Sequence, residues 1–256
     1  MVYYYDAPRY IFIGFRVWTS RDKKAKEIKD TSSDTVGGFA FLLSLALLLP
    51  TSVLFFRTAI SQIIHAETLT VIIFGVSFFV GMLIAHRFIR DHISVLIHEW
   101  KHGIVSNLVG NRNKKMEVNR NSGSLQYEYT KKTAHYNAFI ALAPYILPVF
   151  TFLGALISLA LGTAGSQRTV IIIGIAYGID LLMNARDVSP VQTDITLIRG
   201  GYGVGVTYIC VWNLLTLSLA LAWAFNGATG IGELFAAQFR LFIDIYAGVT
   251  GWSPEG

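Results

Sequence analysis

The sequence predicts an all-α integral membrane protein with about six transmembrane helices and one short β-hairpin. Of its 256 residues, 53% are hydrophobic and 14% are charged, whereas roughly a quarter of the residues in an ordinary soluble domain are charged. Apolar runs of about 20 residues are long enough to cross a hydrocarbon core. Five runs without any charged side chain cover residues 36–56, 69–85, 136–162, 169–179 and 202–224. The sixth predicted helix covers residues 93–110, between the second and third of these runs. It is different, because its apolar ends enclose a group of ionisable residues.

The order of these runs predicts four regions. Residues 1–35 begin with aromatic and end with charged side chains, which is typical of an arm that lies at the membrane interface. Residues 36–90 contain the first two runs and are predicted to form an accessory transmembrane hairpin. We expect residues 91–224 to form the membrane core, and residues 225–256 to form a C-terminal interfacial helix and tail.

The ionisable group lies in the middle of the sixth predicted helix, residues 93–110, and reads His98-Glu99-Trp100-Lys101-His102. Residues four apart share one face of a helix, so His98 and His102 can bind one metal ion while Glu99 lies beside it. Two imidazoles and a carboxylate suit Zn²⁺, which lowers the pKa of a bound water whose proton Glu99 can then accept. The competing interpretation is an interfacial helix with an incidental charged face.

A third protein ligand must come from elsewhere in the chain. Cys210 is the only cysteine, so a zinc site made of cysteines and an intrachain disulfide are both excluded. Spacing leaves Asp180, Asp187 and Asp194 open as candidates, since they recur every seven residues. The remaining histidines lie at or near the ends of apolar runs, where polar interfacial groups are common; they are His65, His86, His92 and His135.

A β-hairpin is predicted directly after the motif helix. Residues 116–118 and 125–129 flank the turn-forming sequence Asn121-Ser122-Gly123, and strands around a glycine-containing turn are typical of hairpins. A plain extramembrane loop is the alternative. A hairpin at this place could present an extended substrate strand by edge pairing.

Three features together resemble the site-2 protease family of intramembrane zinc metallopeptidases. They are the motif inside a membrane helix, the hairpin after it, and a later segment with Asn184, Pro190 and Asp194 in that order. The resemblance implies that the paired histidines and Asp194 bind zinc. The chain departs from the family pattern in two respects, because Thr193-Asp194-Ile195 replaces Leu-Asp-Gly and the spacing from Asn to Pro is longer. Asn184 is a candidate to orient the substrate backbone, although an asparagine that ends a helix is also common.

These features predict a zinc metallopeptidase that hydrolyses peptide bonds of membrane proteins or peptides within or beside the lipid bilayer. The alternative is a non-catalytic zinc-binding pseudoprotease or scaffold, whose metal site would not need Glu99 as a base. The net charge of +5 is concentrated in loops beside predicted helices. Basic loops are expected there from the positive-inside bias of membrane proteins, so the charge does not indicate nucleic-acid binding. We expect a multi-pass protein of the cell membrane, while the sequence does not define its oligomeric state.

Overall fold

A computed structural model describes residues 9–14, 38–120 and 122–250. Within these ranges the chain is mostly helical, with a three-stranded sheet and a single 3₁₀ turn, Thr133–Tyr136. In chain order the other elements are β1 (Arg9–Gly14), α1 (Phe39–Ile64), α2 (Thr68–Phe88), α3 (Asp91–Leu108), β2 (Arg112–Val118), β3 (Gly123–Tyr129), α4 (Asn137–Ile146), α5 (Val149–Ala160), α6 (Gln167–Arg186), α7 (Thr193–Thr196) and α8 (Gly201–Thr250). The predicted helical class is therefore confirmed.

Four described helices are long and apolar enough to cross a membrane, namely α1, α2, α6 and α8. The bent pair of Thr133–Ile146 and Val149–Ala160 gives a fifth span if the two are counted as one. The expected count of about six is not confirmed. The missing span is α3, whose 18 residues include three histidines as well as Asp91, Glu99 and Lys101.

Prolines account for the break between α4 and α5. Pro148 precedes the first residue of α5, and Leu147 has an extended backbone (φ −81°, ψ 110°) rather than a helical one. Proline cannot donate a backbone hydrogen bond and disfavours a helical residue before it. The chain therefore changes direction between Ile146 and Val149 instead of continuing as one helix.

The predicted hairpin is present, and a third strand joins it. The strand order is β1-β3-β2, with antiparallel pairing throughout. The extra strand, Arg9–Gly14, comes from the predicted interfacial arm; the rest of residues 1–35 lies outside the described residues. Its sequence, Arg-Tyr-Ile-Phe-Ile-Gly, is rich in the β-branched and aromatic residues that favour strands.

The chain divides into two compact units. The first comprises Met1–Leu45, Ile89–Leu147 and Asn184–Ile209, and so contains the sheet with α3, α4 and α7. The second comprises Ala46–Phe88, Pro148–Met183 and Cys210–Gly256. The four predicted regions run consecutively along the chain and stay a prediction.

Small residues allow close helix packing in the second unit. A methyl group placed on Gly81 of α2 would lie 2.1 Å from the backbone oxygen of Ile175, and one on Gly178 of α6 would lie 2.1 Å from that of Phe78. The two backbones therefore approach more closely than side chains would permit, as is common between membrane helices.

The last helix is interrupted at Gly227, whose φ of 58° and ψ of −138° are not helical. A residue with a side chain rarely adopts a positive φ, so glycine permits this break. The C-terminal part of α8 covers most of the region 225–256, in which the sequence predicts a helix. It exposes large apolar side chains at helical spacing, including Phe235, Phe239 and Phe242, as expected for a helix in contact with lipid.

Candidate metal centre

Helix α3 has its polar face buried and many of its apolar side chains exposed. Glu99 and His102 have no exposed surface, whereas Trp100 is 48% exposed and Leu108 is 78% exposed. A helix on the surface of a soluble protein shows the opposite arrangement. Ionisable residues turned toward protein from a helix with an apolar outer face are typical of functional sites at membrane depth.

His98 and His102 lie one helical turn apart on α3, and the short helix α7 brings Asp194 to them. One nitrogen of each imidazole and one oxygen of Asp194 all lie within 4.8 Å of one another. The Oδ2 atom of Asp194 is 3.3 Å from His98 Nε2 and 3.4 Å from His102 Nε2. Ligand atoms about 2.0–2.1 Å from a tetrahedral zinc ion are roughly 3.3 Å apart. The donor set and the two distances from Asp194 to the imidazoles therefore fit Zn²⁺.

The second nitrogen of each imidazole has a hydrogen-bond acceptor of its own. His102 Nδ1 donates to the backbone oxygen of Ile140 at 2.6 Å, and His98 Nδ1 contacts Asp187 Oδ2 at 3.3 Å. Because a carbonyl oxygen can only accept, the proton of a neutral His102 must be on Nδ1, which leaves the Nε2 lone pair directed toward Asp194. Outer partners of this kind commonly fix the tautomer of a histidine that binds a metal.

Two electron-rich atoms that face each other in a buried site require a cation between them. A proton on His102 Nε2 would meet this need only if it were directed at a suitable acceptor. That buried nitrogen, however, has no hydrogen-bond partner with acceptable geometry among the described residues. A metal ion does not depend on a donor hydrogen, so the orphaned nitrogen supports a metal site.

Glu99 lies next to this cluster and is fully buried. Both carboxylate oxygens are buried, and neither has a hydrogen-bond partner in the part of the chain that the structure describes. A cavity of about 40 Å³ is lined by Ser94, Val95, His98, Glu99 and Asp187, which is enough room for one water molecule. An uncompensated buried carboxylate is costly, so its retention here points to a chemical role.

Strand β3 covers Glu99. A methyl group on Gly123, the first residue of β3, would lie 2.5 Å from Glu99 Cγ and 2.6 Å from its Oε1. Two side-chain hydrogen bonds hold the hairpin in place: Asn113 Nδ2 donates to the backbone oxygen of Gly103 at 3.1 Å, and the Tyr127 hydroxyl donates to Asn137 Oδ1 at 3.3 Å. Burial raises the pKa of Tyr127, so this hydroxyl keeps its proton.

Comparison with known protein families agrees with this arrangement. The family model described as Peptidase M50B-like matches residues 88–243, which is more than half of the chain. The chain belongs to the Peptidase M50B-like family. The resemblance to site-2 proteases that the motif suggested is thereby confirmed, and membership implies a membrane peptidase. No match was found among curated proteins or among solved structures.

The matched range of the M50B-like family includes all three aspartates that spacing left open, and the structure separates them. Asp194 joins the two histidines, while Asp187 contacts the outer nitrogen of His98 and lies 3.7 Å from Arg186 Nε. Asp180 belongs to the second unit, where its Oδ2 accepts hydrogen bonds from the backbone nitrogen (2.6 Å) and hydroxyl (2.8 Å) of Thr151. It therefore caps the beginning of α5, since the first amide groups of a helix lack partners within it.

Asn184 is buried beside the motif helix of this M50B-like chain, outside the three-ligand cluster. Its Oδ1 accepts a hydrogen bond from Lys101 Nζ at 3.0 Å, and the same ammonium donates to the backbone oxygen of Pro144 at 3.2 Å. Lysine only donates, so the atom facing it must be the amide oxygen, and the orientation of the Asn184 amide is fixed.

Two residues at this centre were not foreseen. Lys101 is 1% exposed, and the only sequence signal for its role was a lysine between two histidines of a helix that was predicted to lie in the membrane. Tyr145 is fully buried, and its ring meets the His98 ring edge to face, with centroids 5.6 Å apart. No local pattern identifies Tyr145, because only the tertiary fold brings α4 against α3.

Proposed function

We propose that this M50B-like protein is a zinc metalloendopeptidase that hydrolyses peptide bonds of membrane-associated proteins or peptides, in the cell membrane. The observation that carries the proposal is the convergence of two imidazole nitrogens and the Asp194 carboxylate beside the unpaired, buried Glu99. A metal site with a structural role alone needs no free carboxylate next to it.

His98, His102 and Asp194 are proposed to hold the zinc ion. When bound, zinc acts as a Lewis acid that polarises a carbonyl group and makes water more acidic. Asp187 and the Ile140 carbonyl then keep the two imidazoles oriented, as their contacts with the Nδ1 atoms suggest.

Glu99 is proposed as the general base. Its carboxylate lines a cavity large enough for water, so one oxygen can accept the proton that water loses as it adds to the peptide carbonyl. The same oxygen can pass this proton to the leaving amine nitrogen. One water is consumed, the C–N bond breaks, and a carboxylic acid and an amine result.

Asn184 is proposed to orient the substrate backbone. The hydrogen bond from Lys101 fixes the amide oxygen, so the amide nitrogen is the atom that would contact a substrate carbonyl. Lys101 therefore acts as a positioning residue, because it determines which atom Asn184 offers.

The proposal is tested with detergent-purified protein and a model transmembrane peptide. We expect Glu99→Gln to keep stoichiometric zinc and to lose measurable turnover, because the amide cannot accept a proton. Asp194→Asn should lose both zinc and turnover, whereas Asp180→Asn should lose stability and keep zinc. Wild-type protein without stoichiometric zinc would refute the metal site. Unchanged turnover in Glu99→Gln would refute its role as a base, and absence of wild-type turnover together with bound zinc would favour the non-catalytic alternative.

A further inference from the structure

One edge of strand β3, the side on which β1 pairs, ends beside the proposed general base Glu99. This side is called the β3 edge below. β3 is the central strand of the sheet, with β2 on one side and β1 on the other. Its first residue, Gly123, lies against Glu99. A peptide that paired with β3 on the side of β1 would therefore run toward Glu99 in extended form, and a protease needs its substrate extended because helical peptide bonds are inaccessible.

The chain itself occupies this edge. Residues Arg9–Gly14 pair with β3 over six positions, from Arg9↔Tyr129 to Gly14↔Ser124. Gly14 is therefore the end of β1 nearest to Gly123 and Glu99. Neighbouring strands are about 4.8 Å apart, so a second peptide cannot pair with the same edge while β1 is in place.

The composition of β1 fits the class of peptide that the proposed function requires. Its sequence, Arg-Tyr-Ile-Phe-Ile-Gly, has four consecutive large apolar or aromatic residues after one basic residue. Segments of membrane proteins near the interface have the same composition. β1 thus resembles an extended piece of a membrane-derived substrate.

We propose that Arg9–Gly14 is an intramolecular competitor, which occupies the side of β3 on which an extended apolar segment of a membrane-associated substrate would pair. This inference rests on the proposed function for the identity of the substrate. A tethered segment has an effective concentration of the order of millimolar. Only a substrate that binds β3 strongly enough to displace β1 reaches the site. The segment therefore inhibits cleavage in general and limits it to substrates that bind β3 strongly.

A reversible disulfide tests this directly in the full chain. Phe12 and Gln126 are opposed in the β1–β3 register, and opposed residues of antiparallel strands have Cα atoms about 4.5–5.5 Å apart, within the range of a disulfide. The variant Phe12→Cys with Gln126→Cys is made in a Cys210→Ser background, since Cys210 is the only native cysteine. Each single cysteine variant serves as a control for oxidation.

Two readouts are taken before and after reduction of the same sample. The first is binding of a fluorescent peptide with the sequence of residues 9–14, and the second is cleavage of a model transmembrane peptide. We expect the oxidised protein to show at least tenfold weaker peptide binding and tenfold slower cleavage than the reduced protein. Equal peptide binding in both states, or no binding in either, would overturn the competitor role. If binding responds as expected and nothing is cleaved in any state, the proposed function fails and the competitor role stands.

Proline substitutions provide the opposite perturbation. Successive N–H groups of a strand point to opposite sides, so only one of Ile11 and Phe12 directs its N–H toward β3. Proline removes that N–H and is tolerated in a strand where the N–H faces outward. One of Ile11→Pro and Phe12→Pro should therefore raise peptide binding and cleavage several-fold, and the other is its matched control. Reduced cleavage in both variants would show that β1 is a required strand and would refute the competitor role, as would no change in either.

Discussion

Substitution of Gly123 by alanine tests whether β3 determines the position of Glu99. The added methyl group would lie 2.5 Å from Glu99 Cγ, 2.6 Å from Oε1 and 2.8 Å from Cδ, whereas ordinary contacts begin at 3.4 Å. The Glu99 side chain must therefore move by about 0.9 Å if the strand is held in place. A misplacement of about 1 Å in a catalytic group costs roughly 100-fold in rate, or about 2.7 kcal/mol in activation free energy.

The measurement is kcat for a model transmembrane peptide together with zinc content. We expect Gly123→Ala to lower kcat roughly 100-fold and to leave zinc stoichiometry unchanged, because the three atoms nearest to the added methyl group all belong to Glu99. Gly203→Ala is the control, since a methyl group there meets nothing within 4 Å. Wild-type kcat in Gly123→Ala would show that β3 gives way instead of Glu99. Loss of zinc would show that the sheet supports the proposed ligands rather than the proposed base.

Three further predictions concern residues around the site and in the second unit. Asp187→Asn should weaken zinc affinity about 10–100-fold in a chelator competition, as loss of an outer partner of a ligand histidine commonly does; affinity equal to wild type would contradict the role of its contact with His98. Lys101→Met should lower the free energy of unfolding by about 1–3 kcal/mol, because the buried Asn184 and Pro144 oxygens lose this donor; thermal unfolding in detergent measures it, with an unchanged midpoint as the contrary outcome. Gly81→Ala should destabilise the protein by about 1–3 kcal/mol, because its methyl group would overlap the Ile175 backbone, which cannot change rotamer as a side chain can. Gly75→Ala on the same helix adds a methyl group in open space and should leave stability unchanged.

The sequence was most informative where one local rule determines the structure. Bilayer thickness fixes how long an apolar run must be, and this rule located α1, α2 and α6. Helical periodicity likewise placed His98 and His102 on one face. The same hydropathy rule does not count α3 as a span, since its buried polar face lowers the apolar content of the helix. The predicted sixth span rested on the apolar ends of this segment alone.

Contacts between distant segments were beyond the reach of local patterns. Seven-residue spacing left Asp180, Asp187 and Asp194 equivalent, and only the fold shows that one caps a helix, one contacts an outer histidine nitrogen and one joins the histidine pair. The resemblance to site-2 proteases had favoured Asp194. The pairing of Arg9–Gly14 with β3 could not be foreseen either, because strand pairing depends on tertiary context as well as on propensity.

The depth at which His102 and Asp194 lie has a kinetic consequence. With so little of either side chain accessible, a chelator cannot reach a bound ion until the surrounding helices or sheet open locally. We expect the rate of zinc extraction to level off as chelator concentration rises, at the rate of that opening. Loading would face the same barrier, which favours metal capture while the chain is still folding into the bilayer. The buried centre would then exchange its ion on the timescale of protein opening rather than of diffusion.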